Sequence, residues 1–373
     1  RLPRRKINRN TFSKMEETVV LEKLQDCLND QTLLLNGVDY FDGLFTKRGF
    51  VLGLTKVLIS TNYESNARKF AGIILKYFIR ERWNESVVSQ EEKEEIRACL
   101  LSNLVETDVS LLIHKCLAIA AIASHQFPDE WPELVDSLLD RLDSEDSVEI
   151  NSVIQCFLAM DEEEIQLTPK VASILPKLFQ CFTLPDMPLV IREECLKLLF
   201  ACITSFSWAD GVNNDLVHEC FDETFSLWMA VFLSVLQSSP TKHIEIKRLT
   251  LKILIVIFRD VANYSIESLD TILQPAWKLL NAHLPIYTES VIFGNPLPVD
   301  EDIDQEQIDK FTSNLDNWDD EIRGVEGMTS QLIDLLSTLV QRRNLKSVVN
   351  EGLAPLLVTI IGYVPLTVEQ EQL

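Results

Sequence analysis

Glycine, closely spaced cysteines and long apolar runs are the features that this sequence lacks or has in small number. The 373 residues include only 11 glycines, which argues against a β-sandwich or barrel with many tight turns. The eight cysteines lie at least seven positions apart, so no C-x-x-C or comparable zinc-ligand spacing occurs. We therefore expect buried free thiols and a reducing compartment.

Positive charge is also in short supply. The chain has 34 lysines and arginines against 57 acidic residues, a net charge of −23. Because phosphate binding needs a basic surface, we expect no direct nucleic-acid partner. The balance favours either basic protein partners or simple solubility. No apolar run reaches roughly 18 residues, which predicts no membrane insertion.

The motifs of common enzyme classes are missing as well. The sequence contains no phosphate-binding G-x-x-x-x-G-K-[ST] loop, no G-x-G-x-x-G turn after a strand and no G-x-S-x-G elbow. The five histidines have no H-E-x-x-H spacing, and His114 in an apolar helical stretch is interpreted as a packed imidazole. We expect a protein that is not an enzyme, with no catalytic, metal-binding or cofactor-binding residues and no cofactor.

Helical periodicity, in contrast, runs through nearly the whole chain. Between residues 130 and 142 the apolar positions follow i, i+3, i+4, i+7, i+8 and i+11, which is one stripe of an α-helix. These positions are Trp131, Leu134, Val135, Leu138, Leu139 and Leu142. The preceding stretch, 109–123, is apolar almost all round and predicts a buried helix.

The segment "HQFPDEWPEL" joins these two helices. Pro128 is expected to end the first helix, because it lacks an N–H and its ring obstructs continuation. Asp129 is expected to cap the second helix, with Pro132 in a first turn where no donor is needed. Phe127 and Trp131 would then fill the corner. The sequence predicts a structural corner made by Phe127, Pro128, Trp131 and Pro132.

The same helix–turn–helix design recurs at a spacing of roughly 40 to 50 residues, the period of HEAT or armadillo repeats. We predict an all-α fold, a right-handed superhelical solenoid of HEAT repeats. A bundle of separate helical domains is the alternative, disfavoured by prolines in or near the first turns of second helices, at Pro132, Pro176, Pro275 and Pro355. The predicted pairs are 66–83 with 91–105, 109–123 with 130–142, 147–160 with 169–182, 189–205 with 218–236, 244–261 with 266–280, and 324–340 with 345–361.

One stretch, residues 293–323, breaks the pattern and is interpreted as an acidic loop. Residues 300–321 contain ten acids and one lysine, with no sustained apolar period. Such a segment is either a solvated linker or a docking site for a basic cargo. The candidate cargo-binding residues are Asp300, Glu301, Asp302, Asp304, Asp319, Asp320 and Glu321.

Two stretches together carry a family resemblance. "SNARKFAGIILKYFIRERW" and "IHKCLAIAAIASHQFPDEWPEL" resemble the N-terminal domain of the importin-β (karyopherin-β) superfamily. Segments further along are similar to its importin-9 branch. Near the start, "LLLNGVDYFDGLFTKR" departs from the usual first helix. The matching residues are Arg68, Phe70, Ala71, Leu75, Lys76, Ile79 and Trp83 in the first stretch, and Ile122, Ala123, Phe127, Pro128, Trp131, Pro132 and Leu134 in the second.

This resemblance, which spans roughly residues 15–365, implies the N-terminal part of a longer nuclear transport receptor. Such receptors bind Ran-GTP through their N-terminal repeats, carry cargo, contact phenylalanine-glycine nucleoporins and shuttle between cytoplasm and nucleus. In the importin-9 branch the cargo is basic, with core histones foremost. We expect a monomer. The candidate Ran contacts, taken as exposed charges on second helices, are Glu94, Arg97, Glu133, Asp136 and Asp140.

The predicted organisation follows the repeats. A HEAT-repeat scaffold without a transport role, such as a phosphatase regulatory subunit, is the alternative function. An enzyme with an unrecognised site is a third. The segments are a basic disordered arm at 1–14, importin N-terminal-type repeats with the Ran-binding region at 15–145, further repeats at 146–292, the acidic loop at 293–323 and a further repeat at 324–373.

Overall fold

The fold is described from a computed structural model of the chain. Every regular element in the residues it describes is helical, which confirms the predicted all-α class. The helices form HEAT-type pairs with bounds close to those predicted from periodicity. The described residues are 16–30, 37–85, 87–207, 223–260, 262–296, 324–341, 355 and 358–363.

The chain divides into two compact units. The N-terminal unit comprises Arg1–Leu134 and Glu162–Ile165, and the C-terminal unit comprises Val135–Asp161 and Gln166–Leu373. The finer division predicted from the sequence stays a prediction.

The N-terminal unit is built in two layers of helices. In the first layer α4 packs against both α1 and α6, and in the second layer α3 packs against α5. Contacts of α3 with α1 and α4 join the layers, so α1 and α3 form the first repeat, with α2 between them. The helices are α1 (Glu17–Asn29), α2 (Gly37–Phe45), α3 (Phe50–Ile59), α4 (Ser65–Arg82), α5 (Gln90–Ser102) and α6 (Val109–Gln126).

The C-terminal unit repeats this layering. Helix α12 packs between α10 and α14, while α11 packs against α13 in the other layer. The second helix predicted at 345–361 lies mostly outside the described residues. The elements are α7 (Leu134–Arg141), α8 (Ser147–Glu162), a 3-10 turn (Thr168–Lys170), α9 (Val171–Thr183), α10 (Leu189–Ser207), α11 (Phe225–Gln237), α12 (Ile244–Asp260), α13 (Ala262–Tyr287), a π-helical turn (Thr288–Ile292) and α14 (Gly324–Val340).

Two helix starts in the N-terminal unit are capped by a side chain. The Ser89 hydroxyl accepts a hydrogen bond from the Glu92 N–H at the start of α5, at 3.3 Å. The Asp108 carboxylate accepts from the Leu111 N–H at the start of α6, at 3.2 Å. These side chains satisfy backbone donors that the helices leave without partners. Gly49 precedes α3 with φ +84°, a left-handed conformation that favours glycine.

The expectation that prolines mark the first turns of second helices is wrong for α13. Pro275 lies in the middle of this 26-residue helix, which begins at Ala262. A proline inside a helix removes one backbone hydrogen bond and crowds the preceding turn. Pro275 is buried, so apolar packing of its ring offsets that cost.

Helix α6 is the apolar centre of the N-terminal unit. Its 18 residues have a mean hydropathy of 1.3, and by length and composition it could cross a membrane. The expectation that no apolar stretch reaches this length is therefore wrong. Yet 61% of the helix is buried inside the structure, and Ala118 to Ala123 are fully enclosed. This burial is typical of the core helix of a globular unit.

Six of the seven cysteines in the described residues are buried, as predicted, and Cys99 is half-buried. Cys27, Cys156, Cys181 and Cys195 are buried free cysteines. Burial raises the pKa of Cys181 to about 11 and also raises that of Cys195. Since the thiolate is the reactive form, these two thiols are chemically quiet.

Candidate partner-binding surface

The corner after α6 is closed by one backbone carbonyl. Helix α6 ends at Gln126, and a cis peptide bond joins Phe127 to Pro128. The backbone N–H groups of Glu130 and Trp131 both donate to the Gln126 carbonyl, at 2.7 and 3.0 Å. The chain therefore turns back on the last residue of α6 before the next helix starts.

The corner differs from its prediction in two respects. Helix α7 begins at Leu134, five residues after Asp129 and two after Pro132, so the predictions that Asp129 caps this helix and that Pro132 lies in its first turn are both wrong. The physical reason is that the Gln126 carbonyl holds the intervening residues in a turn. Trp131 is 1% exposed, as expected for a corner residue. Phe127 is half-buried, and Pro128 and Pro132 are exposed.

Arg97 belongs to this corner and not to an exposed surface. Its side chain is 9% exposed. Its Nη1 donates to the Glu130 carbonyl at 2.7 Å and to Gln126 Oε1 at 3.4 Å. The guanidinium carbon lies 5.5 Å from the centre of the Trp131 ring, within cation–π range. The expectation that Arg97 is an exposed charge is wrong, because these contacts use its donors to hold the corner.

The sequence did contain a signal for this burial. Arg97 precedes Leu100, a buried apolar residue, by three positions, so the two side chains lie on the same helical face. An arginine in that position buries its apolar stem and needs partners for its head group.

A second buried network joins α3, α4 and α6. Arg68 donates from Nε to the Leu58 carbonyl at 3.0 Å and from Nη2 to Glu106 Oε2 at 2.5 Å. Lys115 donates to Glu106 at 3.0 Å and to the Asn103 carbonyl at 2.8 Å. Burial disfavours the Glu106 charge, but Lys115 and Arg68 outweigh it and lower the pKa of Glu106 below its ordinary value. The family-matching Arg68 is thus a structural residue.

The other four candidate contact residues are exposed. Glu94 lies on α5 and Glu133 follows the corner, while Asp136 and Asp140 lie on α7. At spacing i and i+4, the two aspartates share one helix face.

In the C-terminal unit, one residue of this α7 face and one residue just after α7 form ion pairs with the 3-10 turn and with α9. Lys170 pairs with Asp136 and Lys177 pairs with Asp143, each at 2.6 Å. The carboxylates remain 61% and 59% exposed, so they keep oxygen atoms available to a partner. The face can therefore receive cationic side chains of another protein.

The remaining sequence predictions concern the acidic segment, the basic arm, metal ligands and His114. The acidic residues 300–321 and the basic arm 1–14 lie outside the described residues. Across the part of the chain that the structure describes, no group of three or more His, Cys, Asp or Glu could hold a metal ion. His114 is packed: burial lowers its pKa, and the charges of Lys69 and Lys76 lower it further.

Sequence comparison relates this chain to importins. The importin-beta N-terminal domain matches residues 44–106, which include α3, α4 and α5. Importin-9 of Drosophila melanogaster is 22% identical over 368 residues, covering 94% of this chain and 35% of the fly protein. Human importin-8 is 22% identical over 223 residues, covering 52% of this chain and 21% of the human protein. The chain thus spans about a third or less of these relatives' length.

Structural comparison gives the fold. The exportin Cse1 in its cargo-free, cytoplasmic state superimposes with a TM-score of 0.56 at 16% identity, covering 91% of this chain and 44% of Cse1. Kap95 in complex with Nup1 gives a TM-score of 0.56 at 18% identity, covering 88% of this chain and 42% of Kap95. Both are HEAT-repeat karyopherins, in agreement with the helix pairs described above. Residues 44–106 of the chain thus match the importin-beta N-terminal domain, and the chain has the fold of the HEAT-repeat karyopherins.

Proposed function

We propose that this chain is the N-terminal part of a nuclear transport receptor that binds Ran-GTP through its first HEAT repeats. The observation that carries the proposal is the importin-beta N-terminal domain match over α3 to α5. A further structure with the same fold, at a TM-score of 0.54 and 18% identity, concerns Kap95p binding to RanGDP, whose switch loops adopt the GTP-bound conformation. The nucleotide would belong to Ran, so the receptor itself needs no phosphate-binding loop.

The proposed Ran contacts are the exposed acidic residues Glu94, Glu133, Asp136 and Asp140, with Arg97 withdrawn because it is buried. Exposed charges contribute mainly by orienting and accelerating association. Losing one of them changes affinity little, whereas reversing several on one partner-facing surface replaces attraction with repulsion.

The direct test reverses three of these charges together. Glu133→Lys, Asp136→Lys and Asp140→Lys in one chain should weaken Ran-GTP binding about tenfold or more, since each exposed pair contributes up to roughly 1 kcal/mol. Surface plasmon resonance with Ran-GTP and Ran-GDP measures the effect. An affinity for Ran-GTP that stays within twofold of the parent chain would exclude this surface.

A matched control separates a local effect from a change in net charge. Glu16, Glu22 and Asp26 are exposed at or on α1, a first-layer helix. Reversing these three charges changes the net charge equally and should leave Ran-GTP binding unaltered. If both triple variants weaken Ran-GTP binding equally, the effect comes from the net charge of the chain and not from a specific contact surface.

We further propose that the receptor carries a basic cargo such as a core histone dimer, assisted by the acidic residues 300–321. Likeness to fly importin-9 along 94% of the chain supports the importin-9 branch. A negative segment attracts a basic protein over about 8 Å at physiological salt. Several weak pairs then speed capture more than they tighten it.

Deleting residues 300–320 tests the cargo proposal. Histone affinity should fall and its dependence on salt should become shallower, while Ran-GTP binding persists. Titrations at two salt concentrations measure both quantities. If affinity and salt slope match those of the intact chain, the segment is only a solvated linker.

Shuttling between cytoplasm and nucleus and contact with phenylalanine-glycine nucleoporins complete the proposal, supported by the fold shared with Kap95 in its complex with Nup1. The alternative is a HEAT scaffold without a transport role. Binding to Ran-GTP in preference to Ran-GDP separates the two, because a non-transport scaffold has no reason to distinguish them.

A further inference from the structure

The exposed face of α4 carries an arrangement that the proposed function does not use. Ile73 is 49% exposed in the middle of this 18-residue helix. Lys69, Lys76 and Arg80 lie four positions before it and three and seven positions after it, so all four residues share one helix face. We call these four residues the α4 face.

The cations of the α4 face have fewer carboxylate partners than they could hold. Lys69 pairs with Asp108 at 3.2 Å, and Lys76 and Arg80 both lie against Glu163, the former at 3.9 Å. Two carboxylates therefore serve three cations in these pairs. The Arg80 side chain is 49% exposed, which leaves donors of its guanidinium open to solvent.

The groups around this face respond to its positive charge. Burial lowers the pKa of Lys76, and repulsion by Arg80 lowers it further, in spite of Glu163 and Glu162 nearby. His114 packs directly on α4, because a Cβ added at Gly72 would lie 2.7 Å from the His114 Cβ. Its pKa is lowered by burial and then by Lys69 and Lys76. Lys69 and Lys76 therefore place positive charge beside His114 in a chain whose net charge is −23.

We infer that the α4 face is a docking site for an acidic protein segment in which an aliphatic or aromatic side chain lies between carboxylates. The apolar side chain would cover Ile73, and the flanking carboxylates would meet Lys69 on one side and Lys76 and Arg80 on the other. This partner has the opposite charge to the basic cargo proposed above. It would also use a different helix from the acidic Ran contacts, so the two proposals can fail independently.

The test uses a fluorescein-labelled synthetic peptide of about twelve Asp and Glu residues with a central leucine, titrated in fluorescence anisotropy. The double variant Lys76→Gln/Arg80→Gln should bind it about tenfold more weakly, since two exposed ion pairs are lost. Ile73→Gln should weaken binding several-fold, and so should a peptide with glutamine in place of its leucine. Equal salt dependence of the parent chain and the double variant would overturn the proposal.

The chain offers a matched control for the cations. Lys47 and Arg48 are adjacent exposed cations outside the α4 face, and Lys47→Gln/Arg48→Gln removes the same two charges. This control should bind the peptide like the parent chain. If both double variants lose the same affinity, attraction is non-specific; if neither loses affinity, the site does not exist. Thermal melting verifies that each variant is folded, and Ran-GTP binding should remain intact in all of them.

Discussion

Two sets of ion pairs with similar geometry differ in what surrounds them. In the N-terminal unit Lys115 lies 3.0 Å from Glu106, with the side chains 2% and 10% exposed. In the C-terminal unit Lys170 lies 2.6 Å from Asp136, with exposures of 34% and 61%. The shorter pair is the weaker contributor to stability, because water screens it, whereas breaking a buried pair strands a charge away from water. Burial, and not distance, separates the structural charges of this chain from those available to a partner.

The largest effect is expected from Trp131→Ala, which tests the contribution of the buried residues around Arg97. Loss of a buried aromatic ring typically costs about 3–5 kcal/mol, and here Arg97 also loses the ring over which it lies. We expect a lower melting temperature and faster hydrogen exchange in α5 and α6 together, because neighbouring repeats are coupled. Calorimetry and hydrogen–deuterium exchange measure these effects.

The control for that variant is Glu133→Ala, an exposed residue two positions later. Its melting temperature should match that of the parent chain. A Trp131→Ala chain that melts like the parent would show that the corner contributes nothing to the stability of the N-terminal unit.

Glu106→Gln should have the next largest effect. The amide retains the shape and one acceptor but removes the charge shared by Arg68 and Lys115, and a hydrogen bond to a charged group contributes about 1.5–3 kcal/mol. The folded pKa of Glu106 lies below its ordinary value, so this stabilisation is complete above the unfolded pKa of about 4.3. It is lost as pH falls through the folded pKa.

The pH dependence separates a lost charge from a packing defect. Urea unfolding curves of the parent chain and Glu106→Gln should differ most at neutral pH and converge in acid, where Glu106 is protonated in both folded and unfolded states. A gap that stays constant from neutral to acid pH would mean that the substitution merely disturbs packing.

The helix pairs could be predicted from the sequence because local information fixes them. Apolar spacing places a helix at 66–83, and α4 spans Ser65–Arg82. The capping residues Ser89 and Asp108 stand at the starts of the next two helices. Each of these features depends on residues within a few positions of one another.

The corner could not be predicted to the same depth, because it depends on contacts between distant positions. The start of α7 at Leu134 follows from bonds to Gln126, and Arg97 reaches Glu130 across 33 positions. The helical spacing of apolar residues does not predict contacts between residues that are distant in the sequence. It therefore predicted a cap at Asp129 and an exposed Arg97, and both were wrong. The acidic residues on α7 were correctly expected to be exposed, since nothing distant was needed to place them there.

The smallest effect on stability is expected from removing the exposed ion pairs. Asp136→Asn and Asp143→Asn, made together, remove the carboxylate charge from the ion pairs with Lys170 and Lys177. An exposed pair contributes about 0–1 kcal/mol and is screened by salt. The double variant should therefore lose less unfolding free energy, relative to the parent chain, than Glu106→Gln loses. Urea unfolding at low and at high salt measures this loss, which should be smaller at high salt. A loss as large as that of Glu106→Gln, unaffected by salt, would contradict the comparison, because it would give an open ion pair the behaviour of a buried one.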